Sequence, residues 1–298
     1  MKRIALPMAA MLLISVVHAC NIPVFRYALE RWQPDHCKVT ITYREALTAR
    51  QQESVGALKK AANIDVVLKQ SDKASDSANT VVSCQVTNGY KVNVWQGDLA
   101  DLPKLHLNKS PARSELSRRL LKGDAVVWLM IQSKDDAKNK AARKRMKKEF
   151  VALEKKVPMP EGIGLPGSEL FSDVPLLLKF SLLEIDATDP KEAFLVKFLT
   201  GIQSDAFADG EPLLVPVFGR GRALEVIPAS DLTSSLIEDL TMFLSGACSC
   251  QVKERNPGFD LLIAADWDKE LFGEDGEVPP DAPERQQTGG KPVLVPIP

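Results

Sequence analysis

The chain has 298 residues, 45% hydrophobic and 26% charged. That length can bury a sizeable core and suggests about two domains by size alone. A formal net charge of -1 gives no global electrostatic reason to expect nucleic acid or an acidic membrane as partner. Three histidines, one of them in a removable leader, are too few for a His-rich metal site, and neither metal nor cofactor is expected.

Residues 1–19 read as a signal peptide. Lys2 and Arg3 give the positive start, and residues 4–17 form an apolar run too short for a comfortable membrane span. Val17-His18-Ala19 ends the run, with His18 standing where a small residue is usual. Cys20 follows directly, and the junction resembles the lipobox of bacterial lipoproteins, whose cysteine is acylated after cleavage. Lipidated Cys20 would be the contact with a membrane; ordinary cleavage after Ala19 is the alternative. Either route exports the protein to the cell envelope, where disulfides persist. Cys37, Cys84, Cys248 and Cys250 then form an even set with three pairings open, and sequence does not choose among them.

Beyond the cut, residues 23–32 read as a short amphipathic helix with Pro23 at its first position. Phe25, Ala28, Leu29 and Trp32 form one stripe, and Arg26 and Glu30 pair on the other face. Residues 38–43 alternate and are β-branched, a strand; residues 48–62 read as a helix and 64–68 as a second strand. Such a βαβ unit favours parallel strands. Residues 69–79 are a polar loop, and 80–86 with 90–96 form a hairpin about Thr87-Asn88-Gly89. Ser110 caps a helix with Pro111 at its first position that ends at Gly123.

A second round follows. Residues 125–131 are an apolar strand, central in its sheet, and 134–156 a long basic helix with Met146, Phe150 and Leu153 inward. Residues 157–173, with three prolines and three glycines, are a loop, and 175–185 a strand. Asp189-Pro190-Lys191-Glu192 has the spacing of a capping box for a helix ending at Gly201. Residues 212–218 and 222–227 form a hairpin about Gly219-Arg220-Gly221, and a helix over 230–245 leads to Cys248-Ser249-Cys250. Residues 261–265 are an apolar strand or packed segment, and from Gly273 prolines, glycines and charges predominate.

Both rounds run strand, helix, strand, hairpin, helix. Over residues 38–246 that order resembles the thioredoxin fold. Pro212 stands where that fold commonly carries a cis-proline, and the first round has no proline there. The expected fold class is α/β: two tandem thioredoxin-like domains (β-α-β, then β-hairpin and helix) after a signal peptide. They would occupy residues 20–123 and 124–272, with 273–298 a disordered tail. A generic α/β protein with an incidental hairpin is the alternative.

Redox chemistry in such a fold would need a cysteine at the start of the first helix of a round, where the helix end lowers a thiol's pKa. The matching residues, 44–48 and 132–135, include none. No catalytic residue is assigned, and the reading leans against an enzyme. Cys248 and Cys250 remain: a ring between residues two apart is small and strained, and two close thiolates suit Cu(I) or Zn, though further ligands are missing. Pairing elsewhere, with Cys37 or Cys84, or apolar packing is the plainer use. Gly219-Arg220-Gly221-Arg222 suits a phosphate, but a hairpin turn accounts for its glycines. The basic run 138–148 is flanked by Asp135, Asp136, Glu149 and Glu154 and reads as a solvated face. His36 and His106 lack metal-ligand spacing, and nucleophile elbow, Walker loop and HExxH are absent.

The stretches 20–32 and 246–267 resemble an uncharacterised family of exported bacterial proteins, which implies no activity. The expected function is a non-catalytic, envelope-anchored binding or scaffold protein, accessory to a membrane complex such as a transporter. The alternative is a thiol-redox or soft-metal-handling protein working through Cys248 and Cys250.

Overall fold

The computed structural model describes residues 21–61, 63–74, 78–86, 91–107, 109–274 and 279. The leader, Cys20, the Thr87-Asn88-Gly89 turn and nearly all of the expected tail lie outside the described residues. Helix α1 (Val24–Arg31) follows Pro23, and all eight of its residues are buried. The face that carries Arg26 and Glu30 is therefore a second buried face. The segment before it is fixed too: Pro23 bridges Ala247, Val24 N–H donates to Gly246 O at 3.0 Å, and Cys248 N–H donates to Ile22 O at 2.9 Å.

The first sheet is built from β1 (Cys37–Tyr43), β2 (Ile64–Gln70), β3 (Asn79–Gln85) and β4 (Lys91–Asp98) in the order β2-β1-β3-β4. β1 runs parallel to β2 and antiparallel to β3, and β3 is antiparallel to β4. Between β1 and β2 lies α2 (Ala49–Lys60), the expected crossover. Alternation decides the faces: Cys37, Val39 and Ile41 of β1 and Val82 and Cys84 of β3 point into one core. A 3₁₀ segment (Leu99–Leu105) and α3 (Pro111–Leu121) close the unit.

The second sheet contains β5 (Val126–Gln132), β6 (Phe180–Asp186), β7 (Leu213–Phe218), β8 (Arg222–Ala223), β9 (Ile227–Pro228) and β10 (Phe259–Asp260). Its order is β10-β8-β7-β5-β6, with β9 also pairing β7. β5 is parallel to β6 and antiparallel to β7, the same signs as β1, β2 and β3. Covering helices are α4 (Asp136–Lys156), α5 (Ala193–Ile202), α6 (Ser204–Ala208) and α7 (Ser234–Ser245). Two short helices follow, α8 (Cys250–Arg255) and α9 (Trp267–Phe272).

β5 is apolar from Val126 to Ile131 because it feeds two cores. Val127, Leu129 and Ile131 join one that continues through α5 into the first sheet; Val126, Trp128 and Met130 join another formed with α1, α4 and α7. Helix α1, within the segment read as the first domain, thus packs on the far face of the second sheet. Among the described residues, no helix is long and apolar enough to cross a membrane.

Several local expectations are corrected. The hairpin's return strand is interrupted: β8 ends at Ala223, where it also pairs with β10, Leu224 N–H still donates to Pro216 O at 3.0 Å, and the ladder resumes as β9 at Ile227. The helix expected from residue 230 begins at Ser234, where the Thr233 hydroxyl accepts from Leu236 N–H at 3.1 Å. Residues 175–179 are irregular, and β6 starts at Phe180. Glu192 closes no capping box: its carboxylate reaches across to accept the Ala112 N–H of α3 at 2.7 Å. No described peptide bond is cis, so the bond before Pro212 is trans.

Candidate functional site

The start of α4 is where the second unit brings a helix N-terminus against the loop leading into β7. Asp135 caps the helix, its carboxylate accepting from Ala137 N–H at 2.9 Å and Lys138 N–H at 3.1 Å. That carboxylate answers donors every helix leaves open at its start. Asn139 accepts from Ser133 N–H at 3.0 Å and donates back to Ser133 O at 2.9 Å. The Ser133 hydroxyl donates to Gly210 O at 2.7 Å, Lys134 Nζ to Ala208 O at 2.6 Å, and Lys138 pairs with Glu211 at 2.6 Å. The crevice is thus bridged by side chain to backbone bonds. Its hydroxyl faces a carbonyl and an amide, neither of which is a base that could activate it. The start of α2 is by contrast an exposed capping box, with Thr48 N–H donating to Gln51 at 2.9 Å and the Thr48 hydroxyl accepting from Gln51 N–H at 3.4 Å.

Beside the Lys138–Glu211 pair opens a cavity of about 150 Å³ with an apolar floor of Ala142, Met146, Leu214 and Leu232. The charges on its rim are engaged: Lys138 with Glu211, and Arg145 with the carbonyls of Ala229 and Leu232.

The cysteines separate by environment. Cys37 and Cys84 form a disulfide across β1 and β3, one step beyond the Lys38–Ser83 pair, with Cα atoms 4.4 Å apart. This is one of the three pairings left open by the sequence. Cys248 is buried against the segment around Ile22, whereas Cys250 is exposed at the start of α8, behind the Ser249 cap. With one side chain inside and the other in solvent, the two do not close a ring on each other. Among the described residues, no group of three or more His, Cys, Asp or Glu side chains is arranged to hold a metal.

The Gly219-Arg220-Gly221-Arg222 turn is a socket for α1. Arg220 donates to Leu29 O at 2.8 Å and Glu30 O at 3.1 Å, satisfying carbonyls at the helix end, and pairs with Asp268 at 2.8 Å. Gly219 has φ of +58°, and a Cβ there would stand 2.7 Å from Ala28 Cβ, so the close approach of α1 requires glycine. His36 pairs with Asp65 at 2.9 Å on the surface, and His106 lends its carbonyl to Arg113. Along the basic helix, Arg143 pairs with Glu184 and Lys156 with Glu238, while Lys140, Lys144, Lys147 and Lys148 are exposed.

Two charge clusters are buried, and of these the sequence displayed only the Arg26–Glu30 pair. In the first, Glu30 accepts from Arg26 at 2.9 Å, Arg31 at 2.8 Å, and the Phe171 and Ser172 amides at 3.1 Å each. Arg26 also donates to Ser172 O and Val174 O at 2.6 Å, and burial holds its pKa below the usual guanidinium range. In the second, Arg222 donates to Asp260 at 2.8 Å and to Asp35 at 3.1 Å. It also donates to Pro257 O, Asn256 O and Gly258 O. Burial pushes the Asp260 carboxyl up to about 7; Arg222 opposes the shift and the neighbouring Asp35 adds to it. The advance sign of the first cluster is the four-residue spacing of Arg26 and Glu30; the second joins residues 35, 222 and 260, far apart in the chain, and left no local sign.

No family model matches the chain, and no curated protein is significantly similar to it.

Proposed function

We propose that this chain is a non-catalytic binding or scaffold protein of the bacterial cell envelope, held at a membrane through lipidated Cys20 and accessory to a membrane complex such as a transporter. Its two units would be a tandem pair of thioredoxin-like folds without the thiol site. Supporting the pairing, both sheets place their first four strands in one order, with β3 and β7 as the reversed strands. The observation that carries the reading is the bridged crevice at α4, where Ser133, Asp135 and Asn139 use their polar groups to close the helix end. An anchor at Cys20 would be followed almost at once by folded chain, since Ile22 and Val24 already bond to the 246–248 segment. Such a protein would sit against the lipid surface.

Two measurements test this. Mass spectrometry of the mature N-terminus should find an acylated Cys20, and Cys20→Ser should move the protein from membrane to soluble fraction. An unmodified Cys20 would sink the anchor. Cross-linking in intact membranes should then return a defined membrane partner; recovery of the monomer alone would count against the scaffold. Thiol labelling separates off the redox alternative, which requires Cys248 and Cys250 to cycle between reduced and oxidised forms with mild reductant.

A further inference from the structure

We propose that Asp35, Asp260 and Arg222 form a proton-dependent latch that fastens the segment behind α1 to the β8–β10 edge of the second sheet. Two carboxylates here share one guanidinium. Asp260 accepts from Arg222 at 2.8 Å and from the backbone N–H of Asp35, while the Asp35 carboxylate accepts from Arg222 at 3.1 Å. Arg222 and Asp260 are buried, and the Asp35 side chain is 18% exposed, which gives a proton its way in. Among the described residues, Arg222 on β8 and Asp35 behind α1 are the charged groups that act on Asp260.

Charge decides how the cluster behaves. With both carboxylates ionised, one arginine faces two anions, Asp260 buried and Asp35 partly so, and the excess negative charge is costly away from water. With one proton held between the carboxylates, the cluster is neutral. Arg222 also holds the carbonyls of Asn256, Pro257 and Gly258, so its charge balance reaches the turn that sets up β10. The latch joins three places far apart in the chain: the end of α1, the hairpin and the C-terminal strand.

The sign follows from linkage. Folding raises the Asp260 pKa from 3.8 to about 7. Between those values the folded protein keeps a proton that the unfolded chain has released. The latch's contribution is therefore full below about pH 4 and is lost as pH rises toward 7. If opening exposes Asp260, the opening constant should rise about tenfold per unit between pH 5 and 6.5 and level off above about 7.5. An exported protein meets the pH of its surroundings, so the latch would report external acidity.

The test uses the mature full chain. Carboxyl ¹³C spectra should show one aspartate titrating near pH 7, absent in Asp260→Asn and moved down in Asp35→Asn, where the repelling neighbour is neutral. Amide-exchange protection factors over residues 33–37 and 256–260 should fall between pH 5 and 8 in the native protein. They should stay high in Asp260→Asn, which imitates the protonated state. Because imidazoles change charge in the same interval, His36→Gln is the control and should keep the native slope. All aspartates titrating below about pH 5 would overturn the latch. So would an unchanged slope in Asp260→Asn, or a slope removed by His36→Gln. If Asp260→Asn does not fold, the native titration and Asp35→Asn still decide.

Discussion

Glu30 shows what a buried ion in this protein depends on. Its carboxylate accepts from two arginines, two backbone amides and the Ser172 hydroxyl, with no side-chain exposure. Removing it leaves Arg26 and Arg31 charged and short of acceptors, the costly half of breaking a buried pair. Glu30→Ala is expected to lower stability by about 3–5 kcal/mol in urea unfolding. Glu30→Gln keeps an acceptor for the amides and should lose less. A loss within about 0.5 kcal/mol for Glu30→Ala, as at an ordinary surface position, would contradict the geometry.

At the scale of elements, the Cys37–Cys84 disulfide ties β1 to β3 across 47 residues of chain. A loop of that length constrains the unfolded chain enough to contribute about 4 kcal/mol in the chain-entropy model. The paired double variant Cys37→Ala/Cys84→Ala, small and apolar on a buried face, is expected to fold but to lose a large part of that amount. Calorimetry with and without reductant should shift the native melting temperature while leaving the double variant unmoved. Equal shifts in both would mean that the bond is not formed. The sequence displayed the longer strands and the main helices, because alternation in residues 38–43 and the apolar run of β5 are local patterns; two-residue β10 (Phe259–Asp260) lies just before the segment 261–265 read from sequence as a strand or packed segment. It also displayed Ser110 as a cap, since it lies next to the donors it answers, whereas Thr48 and Asp135, read as helical residues, turn out to be caps too. It hid the interruption in the hairpin's return strand, where Arg222 also pairs with Asp260 of β10, 38 residues on. It hid the role of Glu192 for the same reason, since its target amide on Ala112 lies 80 residues back. The bridged crevice was half visible: the missing cysteine could be read, but the bond from Ser133 to Gly210 spans 77 residues and follows from the fold.

The whole molecule is knit by two apolar cores, one shared by the two sheets and one that joins α1 to the second sheet. One apolar core runs from Val39 and Val82 through Phe194 and Phe198 to Leu129 and Val215. The other recruits α1, from the beginning of the chain, to cover the second sheet beside Trp128 and Phe218. A division at residue 124 would therefore strip the second sheet of Phe25, Tyr27 and Trp32, all buried in that core. Each large side chain is worth about 1.5–3 kcal/mol on burial, so these three approach the net stability of an ordinary domain, about 5–15 kcal/mol. Arg220 would also lose the helix end it caps, and Arg222 would lose Asp35. A fragment spanning residues 124–274 is accordingly expected to lack a cooperative transition by itself and to gain one when a peptide of residues 21–36 is added. Circular dichroism and Trp128 fluorescence would follow the recovery. In the intact protein, Trp95 of the first sheet and Trp128 of the second should report one coincident urea transition. A fragment that melts cooperatively without the peptide would show that α1 is an accessory strap and that the two sheets unfold as separate units.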